Sequence, residues 1–205
     1  MHRLTIKKIK YIFIVRHGDK VRGIGDVPIS KKGSQEALKT AVYLSSKKIN
    51  YICASPAQRT LQTALIIGNL LKKKIYTDIR LKERIEYDRV TMLNYHHYIY
   101  LCGKSSFDRS FILPNGNTSI RCGNKFKEVI NNTINKDFLN SLIISHGGII
   151  ADFLRNEFTD EYLNSNDSFF AKYKIVKPCS ITKILFNVNT KKIQLLELNT
   201  TDHLL

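Results

Sequence analysis

The sequence predicts an α/β fold, a three-layer α/β/α sandwich around a mostly parallel sheet. Two observations lead to this prediction. Short apolar segments alternate along the chain with segments whose apolar residues recur at helical spacing, an order typical of a parallel sheet between helix layers. The apolar segments are continuous rather than alternating, as expected for strands covered on both faces. With 205 residues and no repeat, linker or composition boundary, the chain is expected to form one domain over residues 1–205.

The first half of the chain is predicted to contain three strands and two helices. The strand KYIFIV precedes the helix PISKKGSQEALKTAVYL, for which Ser30 is a suitable N-cap. The strand NYICAS leads into the helix PAQRTLQTALIIGNLL, which we expect Ser55 to cap and Pro56 to start. The third strand is KKIYTDI. The positions at helical spacing, which define the predicted buried faces, are Ala37, Leu38, Ala41, Val42, Leu61, Ala64, Leu65 and Gly68.

The second half of the chain continues the alternation and closes with a hairpin. The segment IRCGNKFKEVINNTI predicts a helix with Phe126, Val129, Ile130 and Ile134 on one face. SLIIS is the fourth strand, and GIIADFLRNEF the helix after it. SITKILFNV and KKIQLLEL, separated by Asn-Thr, are expected to pair as antiparallel strands.

Composition and charge narrow the possible classes of function. The chain has 43% hydrophobic and 24% charged residues, which is ordinary for a globular protein, and no apolar run long enough to cross a membrane. Its apolar run near the N-terminus, residues 11–15, is too short for a signal-peptide core, so we predict a cytoplasmic protein. The net charge of +16 is compatible with a polyanionic partner, but it comes from scattered lysines, so we do not expect nucleic-acid binding.

The four cysteines give no sign of a metal centre or a redox pair. They are too far apart for a CxxC motif or for metal-ligand spacing, and structural roles are expected for them. They are Cys53, Cys102, Cys122 and Cys179.

Two predicted strands end in the same unusual way, on a histidine followed by glycine. Arg16 and His17 follow the first strand, and His146 follows the fourth. The second strand ends at Ser55, close before Arg59. Because ligands bind beyond the carboxyl ends of parallel strands, we expect these residues to meet in one crevice.

This set of residue types suits a phosphate monoester. Arginine forks match two phosphate oxygens at once. A neutral imidazole can attack phosphorus and form a covalent intermediate, and a second histidine can stabilise the charge that develops. A carboxylic acid can then protonate the leaving oxygen.

Five segments occur in an order typical of one known family: RHG at 16–18, DVPISKKGSQEA at 26–37, SPAQRTLQTA at 55–64, LKE at 81–83 and SHGG at 145–148. Together they make the sequence resemble the histidine phosphatase superfamily, also called the phosphoglycerate mutase-like family. The resemblance covers most of the chain, and it implies a phosphatase that acts on a small phosphorylated metabolite through a phosphohistidine.

The resemblance also implies a role for each matching residue. His17 would be the nucleophile, and Glu83 the acid that protonates the leaving group. Arg16, Arg59, His146 and Gly147 would bind the phosphate, with His146 also taking part in catalysis. The family requires neither a metal nor a cofactor.

The role of the acid has two further candidates. Glu83 lies in a charged segment, and Glu86 and Asp88 are local rivals for its role.

The sequence departs from the family pattern mainly after the acid. The G-x-W-E-G stretch is missing, and Asn117 stands where a glutamate is typical. The segment at about 86–118 is therefore predicted to be a divergent cap over the pocket. Asp19 also replaces the commoner glutamate or glutamine, a second change that affects substrate contacts.

Two alternative functions stay open. Arg84 beside Glu83 resembles the Glu-Arg pair of the mutases, although the short spacer argues against phosphoglycerate mutase-type transfer. The other alternative is a non-catalytic module that binds phosphate or nucleic acid. The sequence does not predict the oligomeric state.

Overall fold

A six-stranded sheet organises the chain in the computed structural model, which describes residues 9–88 and 94–205. The strand order is β3-β2-β4-β1-β5-β6; the first four strands of the chain run parallel, and the closing hairpin is antiparallel. This confirms the predicted fold class and the hairpin. The strands are β1 (Ile9–Arg16), β2 (Tyr51–Ala54), β3 (Ile75–Thr77), β4 (Asn140–Ser145), β5 (Ile181–Asn187) and β6 (Lys192–Thr200).

Helices cover both faces of this sheet. Alternate side chains of β1 enter two different apolar clusters, because successive residues of a strand point to opposite faces. Ile12 and Ile14 join the cluster that α4 and α5 complete, whereas Phe13 and Val15 join the one that α1 and α2 complete. The helices are α1 (Lys31–Ser45), α2 (Gln58–Leu71), α3 (Tyr95–Phe107), α4 (Ser119–Ile134), α5 (Gly147–Glu157), α6 (Asp160–Asn166) and α7 (Ser168–Tyr173).

The start of α1 is as predicted, but the start of α2 is not. The Ser30 hydroxyl accepts a hydrogen bond from the Gly33 N–H, which caps α1. Helix α2 begins at Gln58 without a side-chain cap from its own N-cap residue, so the prediction for Ser55 and Pro56 was wrong. The Gln58 N–H instead donates to the Asp26 carboxylate at 2.9 Å, and an acidic group at this end also suits the helix dipole.

The buried faces of α1 and α2 differ in part from the prediction. Ala37 and Ala41 are buried as expected, but Leu38 and Val42 are 52% and 59% exposed. Leu65 of α2 is likewise exposed. The two helices pack on each other and on the sheet through alanine, glycine and threonine, whose small side chains permit close approach. The face of α4 is as predicted, with Phe126 stacked on Phe153 of α5.

The cap region contains a helix that the sequence analysis did not predict. Helix α3 has its own small cluster, in which Ile85, Leu101 and Leu113 are buried. The predicted cap segment at about 86–118 includes residues 89–93, which lie outside the described part of the chain, as do residues 1–8. The assignment of 1–205 as one domain with this cap stays a prediction.

Cys53, Cys122 and Cys179 are buried free thiols, and Cys102 is a half-buried one. Within residues 9–88 and 94–205, no helix combines the length and the apolarity that crossing a membrane requires.

Candidate active site

The three motifs converge because their strands are neighbours in the sheet. Strand β4 lies between β1 and β2, and all three run in the same direction. Arg16 pairs with Ser145 in the register of β1 and β4, and the His17 N–H donates to the Ser145 carbonyl at 2.9 Å. The Ser55 N–H donates to the carbonyl of Ile144 at 3.0 Å. The ends of β1, β2 and β4 therefore form one crevice, as the sequence predicts.

Two buried histidines face each other in this crevice. The rings of His17 and His146 are 5.3 Å apart and meet edge to face at 67°. The His17 Nδ1 lies 2.7 Å from the Gly18 carbonyl, which can only accept, so Nδ1 carries the proton and Nε2 keeps its lone pair. Consistent with this tautomer, the Nε–H of Arg59 donates to His17 Nε2 at 3.3 Å.

Both imidazoles are neutral in this arrangement. Burial holds the pKa of His17 well below its usual range, and the nearby Arg16 guanidinium lowers it further. Burial also lowers the pKa of His146, with Arg59 and His17 adding to the effect. The His146 Nε2 lies 2.9 Å from the Ser55 hydroxyl, whereas its buried Nδ1 has no hydrogen-bond partner among the described residues.

Arg16 and Arg59 supply the positive charge of the crevice. Arg16 donates through Nη1 to the Val176 carbonyl at 2.7 Å, while its buried Nε has no partner in the described part of the chain. Arg59 is almost fully buried, and its Nη2 lies 2.6 Å from a Glu86 carboxylate oxygen. Its Nη1 approaches Asp26 at 3.4 Å. Carboxylates of the chain thus occupy the Arg59 fork.

Glu83 is held at the N-terminus of α5. One carboxylate oxygen accepts from the Gly148 N–H at 3.0 Å, and the other accepts from the N–H groups of Ile149 and Arg84 at 3.0 and 2.9 Å. Its negative charge acts on Arg16, opposing the effect of burial on the pKa of that guanidinium. Glu83 therefore has a fixed position beside the Arg16 side of the crevice.

The two rival acids lie close to Glu83. A polar cavity of about 380 Å³ is lined by Glu83, Glu86 and Asp88 together with Asn115 and Lys125. Burial raises the pKa of Glu86, and the Arg59 guanidinium opposes this increase. Glu86 thus combines a site contact with a property that a proton donor needs.

The glycines are required by packing inside the protein. A Cβ on Gly18 would lie 2.5 Å from the Gly33 carbonyl oxygen of α1. A Cβ on Gly147 would lie 2.5 Å from the Ile175 side chain and 3.2 Å from the Arg16 guanidinium carbon. At Gly18 the absence of a side chain thus permits the close approach of α1.

Arg84, the residue that resembles the mutase pair, lies in a buried network. Its Nη1 donates to Asp152 of α5 at 2.9 Å and to Ser119 at 2.8 Å, and its Nη2 donates to Ser106 of α3 at 2.7 Å. Burial raises the pKa of Asp152 to about 7, against the effect of Arg84. The only sequence signal for this network is the charged Asp152 within the apolar run GIIADFL.

Among residues 9–88 and 94–205, no group of three or more His, Cys, Asp or Glu side chains is arranged to hold a metal ion.

Comparison with known protein families identifies the superfamily to which the chain belongs. The sequence profile of the histidine phosphatase superfamily (branch 1) matches residues 12–199, and the chain belongs to this superfamily. This confirms the resemblance found in the sequence.

The individual relatives match this chain at low sequence identity or over only part of their length. "Probable phosphoglycerate mutase GpmB" of Proteus mirabilis is 25% identical over 148 residues, 66% of this chain and 69% of that protein. The protein of the same name from Yersinia enterocolitica is 35% identical over 79 residues, which cover 35% of this chain and only 37% of the relative.

Solved structures share the fold. A mycobacterial glucosyl-3-phosphoglycerate phosphatase superposes with a TM-score of 0.72 at 16% identity, over 94% of this chain and 100% of its own. A phosphoserine phosphatase from Entamoeba histolytica gives a TM-score of 0.69 at 20% identity, over 96% and 100% of the two chains.

Proposed function

We propose that this member of the superfamily is a phosphatase, which hydrolyses phosphate monoesters of a small phosphorylated molecule through a phosphohistidine at His17. The observation that carries the proposal is the tautomer of His17. Its Nδ1 donates to the Gly18 carbonyl at 2.7 Å, which leaves the Nε2 lone pair unprotonated, engaged only in a long 3.3 Å hydrogen bond from the Arg59 Nε–H that attack on phosphorus would replace. A buried, neutral imidazole of this kind is a nucleophile that needs no separate base.

The reaction proceeds in two displacements. His17 Nε2 attacks phosphorus, a P–N bond forms, and the P–O bond to the leaving group breaks. Arg16, Arg59, His146 and the Gly147 N–H stabilise the charge on the phosphoryl oxygens. The phosphate dianion would also favour protonation of His146, since an opposite charge nearby stabilises the imidazolium. Water then attacks the phosphohistidine and releases inorganic phosphate.

We assign the proton transfers to Glu83. It would protonate the leaving oxygen in the first step and accept a proton from water in the second. Three backbone N–H groups fix its carboxylate, and the Gly148 N–H among them belongs to the same turn as Gly147. Glu86 is held by Arg59, so the substrate phosphate would compete with it for that fork. Glu86 is the principal rival for this role, because it contacts Arg59 directly.

The proposed activity needs no metal ion. The two guanidinium groups and His146 supply the positive charge that a metal would otherwise bring to the phosphoryl oxygens. We expect hydrolysis of an aryl phosphate to be unchanged by a chelator. Loss of activity with the chelator, restored by a divalent cation, would contradict this part of the proposal.

A mutase is the second candidate, because the GpmB relatives carry that name. The Arg84 guanidinium, however, is occupied by Asp152, Ser106 and Ser119, so it is not available to a substrate without breaking three buried hydrogen bonds. Rapid interconversion of 2- and 3-phosphoglycerate with little release of phosphate would favour the mutase over the phosphatase.

The direct test of the phosphatase measures inorganic phosphate released from a panel of phosphate monoesters. We expect multiple turnovers by the wild-type protein and none by His17→Ala. Binding of the esters without turnover would instead support a non-catalytic phosphate-binding module. A cytoplasmic location and the absence of nucleic-acid binding stay predictions.

A further inference from the structure

A second cavity beside Glu83 is mainly apolar. We call it the α3–Ile175 groove; it has a volume of about 380 Å³ and lies between helix α3 and the turn that follows α7. Glu83 and Gly148 line one end of it. Its large apolar walls are Ile85, Tyr98, Ile99, Phe107, Tyr173 and Ile175.

The chemistry of the proposed reaction restricts where the organic part of a substrate can lie. In an in-line displacement the leaving oxygen lies opposite His17 Nε2, and it must be within hydrogen-bond reach of the proton donor. If Glu83 is that donor, the leaving group extends from Glu83 into a space that Glu83 itself lines. The α3–Ile175 groove and the polar cavity that contains Glu86 and Asp88 both meet this condition.

Exposed apolar surface favours the groove over the polar cavity. Ile99, Phe107 and Tyr173 are 49%, 76% and 51% exposed, so three large side chains of the groove face solvent together. Exposed apolar residues gathered in this way typically mark a ligand or partner site. The lining of the polar cavity instead includes charged side chains of both signs, whose hydration an apolar leaving group would disturb: Lys82, Lys125, Glu86 and Asp88.

Charges in the groove are already satisfied or lie at its rim. The Arg84 guanidinium is held by Asp152, Ser106 and Ser119. The Lys172 ammonium lies over the Tyr173 ring, 5.1 Å from its centroid. The groove therefore offers a mainly apolar surface whose lining includes the candidate acid, Glu83.

We propose that the α3–Ile175 groove is the leaving-group subsite, and that the preferred substrates are phosphate monoesters of a bulky apolar or aromatic alcohol. This inference rests on the proposed phosphatase activity and adds a substrate class to it. Ile99 and Phe107 are its specificity-determining residues, because both project from α3 into the groove without contributing to the phosphate site.

The test compares two esters whose leaving groups have similar acidity but different size, phenyl phosphate and 2-naphthyl phosphate. We expect kcat/KM to be about tenfold higher for the naphthyl ester, the lower end of the range for added apolar contact in a binding pocket. In the double variant Ile99→Ser, Phe107→Ser the ratio should fall to near one. The ratio is measured within one preparation, so it does not depend on the fraction of folded protein.

Ile112→Ser is the matched control, since Ile112 is 68% exposed and lies outside the groove. It should leave the ratio at its wild-type value. A wild-type ratio near one, or a high ratio that survives in the double variant, would overturn the subsite while leaving the phosphatase intact. Failure to hydrolyse either ester would overturn the phosphatase proposal and this inference with it.

Discussion

Replacement of Asp152 by asparagine should strongly destabilise the protein. The side chains of Arg84 and Asp152 are only 5% and 1% exposed, and their charged groups are 2.9 Å apart. Asparagine keeps the shape and one acceptor oxygen, but it leaves the Arg84 cation buried without a counter-charge. Breaking a buried ion pair in this way costs roughly 3–5 kcal/mol. Removing the Asp152 charge also relieves the burial penalty that raises its pKa, which offsets part of this cost, so the lower end of the range is expected. That is a large share of the ~5–15 kcal/mol that stabilises a typical domain.

Urea unfolding measures this cost, with the loss of the far-UV helical signal as the readout. The measurement is made at about pH 8, above the raised Asp152 pKa of about 7, so that Asp152 is ionised in the wild-type protein. In a thermal unfolding experiment, the melting temperature should fall by about 2–4 °C for each kcal/mol lost from the free energy of unfolding, as expected for a chain of this size.

Glu128→Gln is the matched control, because it breaks an ion pair that is exposed to solvent. Glu128 also pairs with an arginine, Arg80 at 3.2 Å, but the two side chains are 60% and 30% exposed. Loss of that pair should cost less than about 1 kcal/mol. If Asp152→Asn is no more destabilising than Glu128→Gln, then Arg84 does not depend on Asp152 for its counter-charge, and the argument is refuted.

Three further predictions concern the crevice. Glu83→Gln should lower kcat/KM by about 10²- to 10⁴-fold for alkyl phosphates, and less for aryl phosphates, whose leaving groups need little protonation; equal losses for both would assign the acid to another residue. Glu86→Gln should tighten inhibition by inorganic phosphate, because it removes the carboxylate that holds Arg59 at 2.6 Å; weaker inhibition would contradict this competition. The free energy of unfolding should decrease as pH falls below 6.5, because the lowered pKa values of His17 and His146 let the unfolded chain take up protons before the folded protein does. The urea midpoint should fall less with decreasing pH in His146→Gln than in the wild-type protein.

The positions of the candidate catalytic residues could be predicted from the sequence because they depend on local patterns. A continuous apolar strand that ends in Arg16 and His17 fixes these residues at the carboxyl end of β1, whatever the neighbours of the strand. The same holds for His146 after β4. The parallel arrangement then brings both ends to one edge of the sheet.

Features that depend on tertiary contacts could not be predicted. Leu38 and Val42 fit a helical stripe as well as the buried alanines do, but close packing of α1 on α2 favours the face with small residues. Helix α3 buries few of its side chains, and its sequence therefore has no clear apolar stripe from which a helix could be predicted. The partner of Arg84 lies 68 positions away in the sequence, and no local pattern selects Asp152 for it.

The covalent intermediate is the central claim, and brief mixing with a substrate labelled in its phosphoryl group tests it most directly. After denaturation, the label should remain on the protein through treatment with alkali and be lost in acid, since a phosphohistidine has a P–N bond. His17→Ala should carry no label, whereas His146→Ala should be labelled more weakly but still at the same acceptor. Label that resists acid, or that persists in His17→Ala, would contradict the assignment of His17 as the nucleophile.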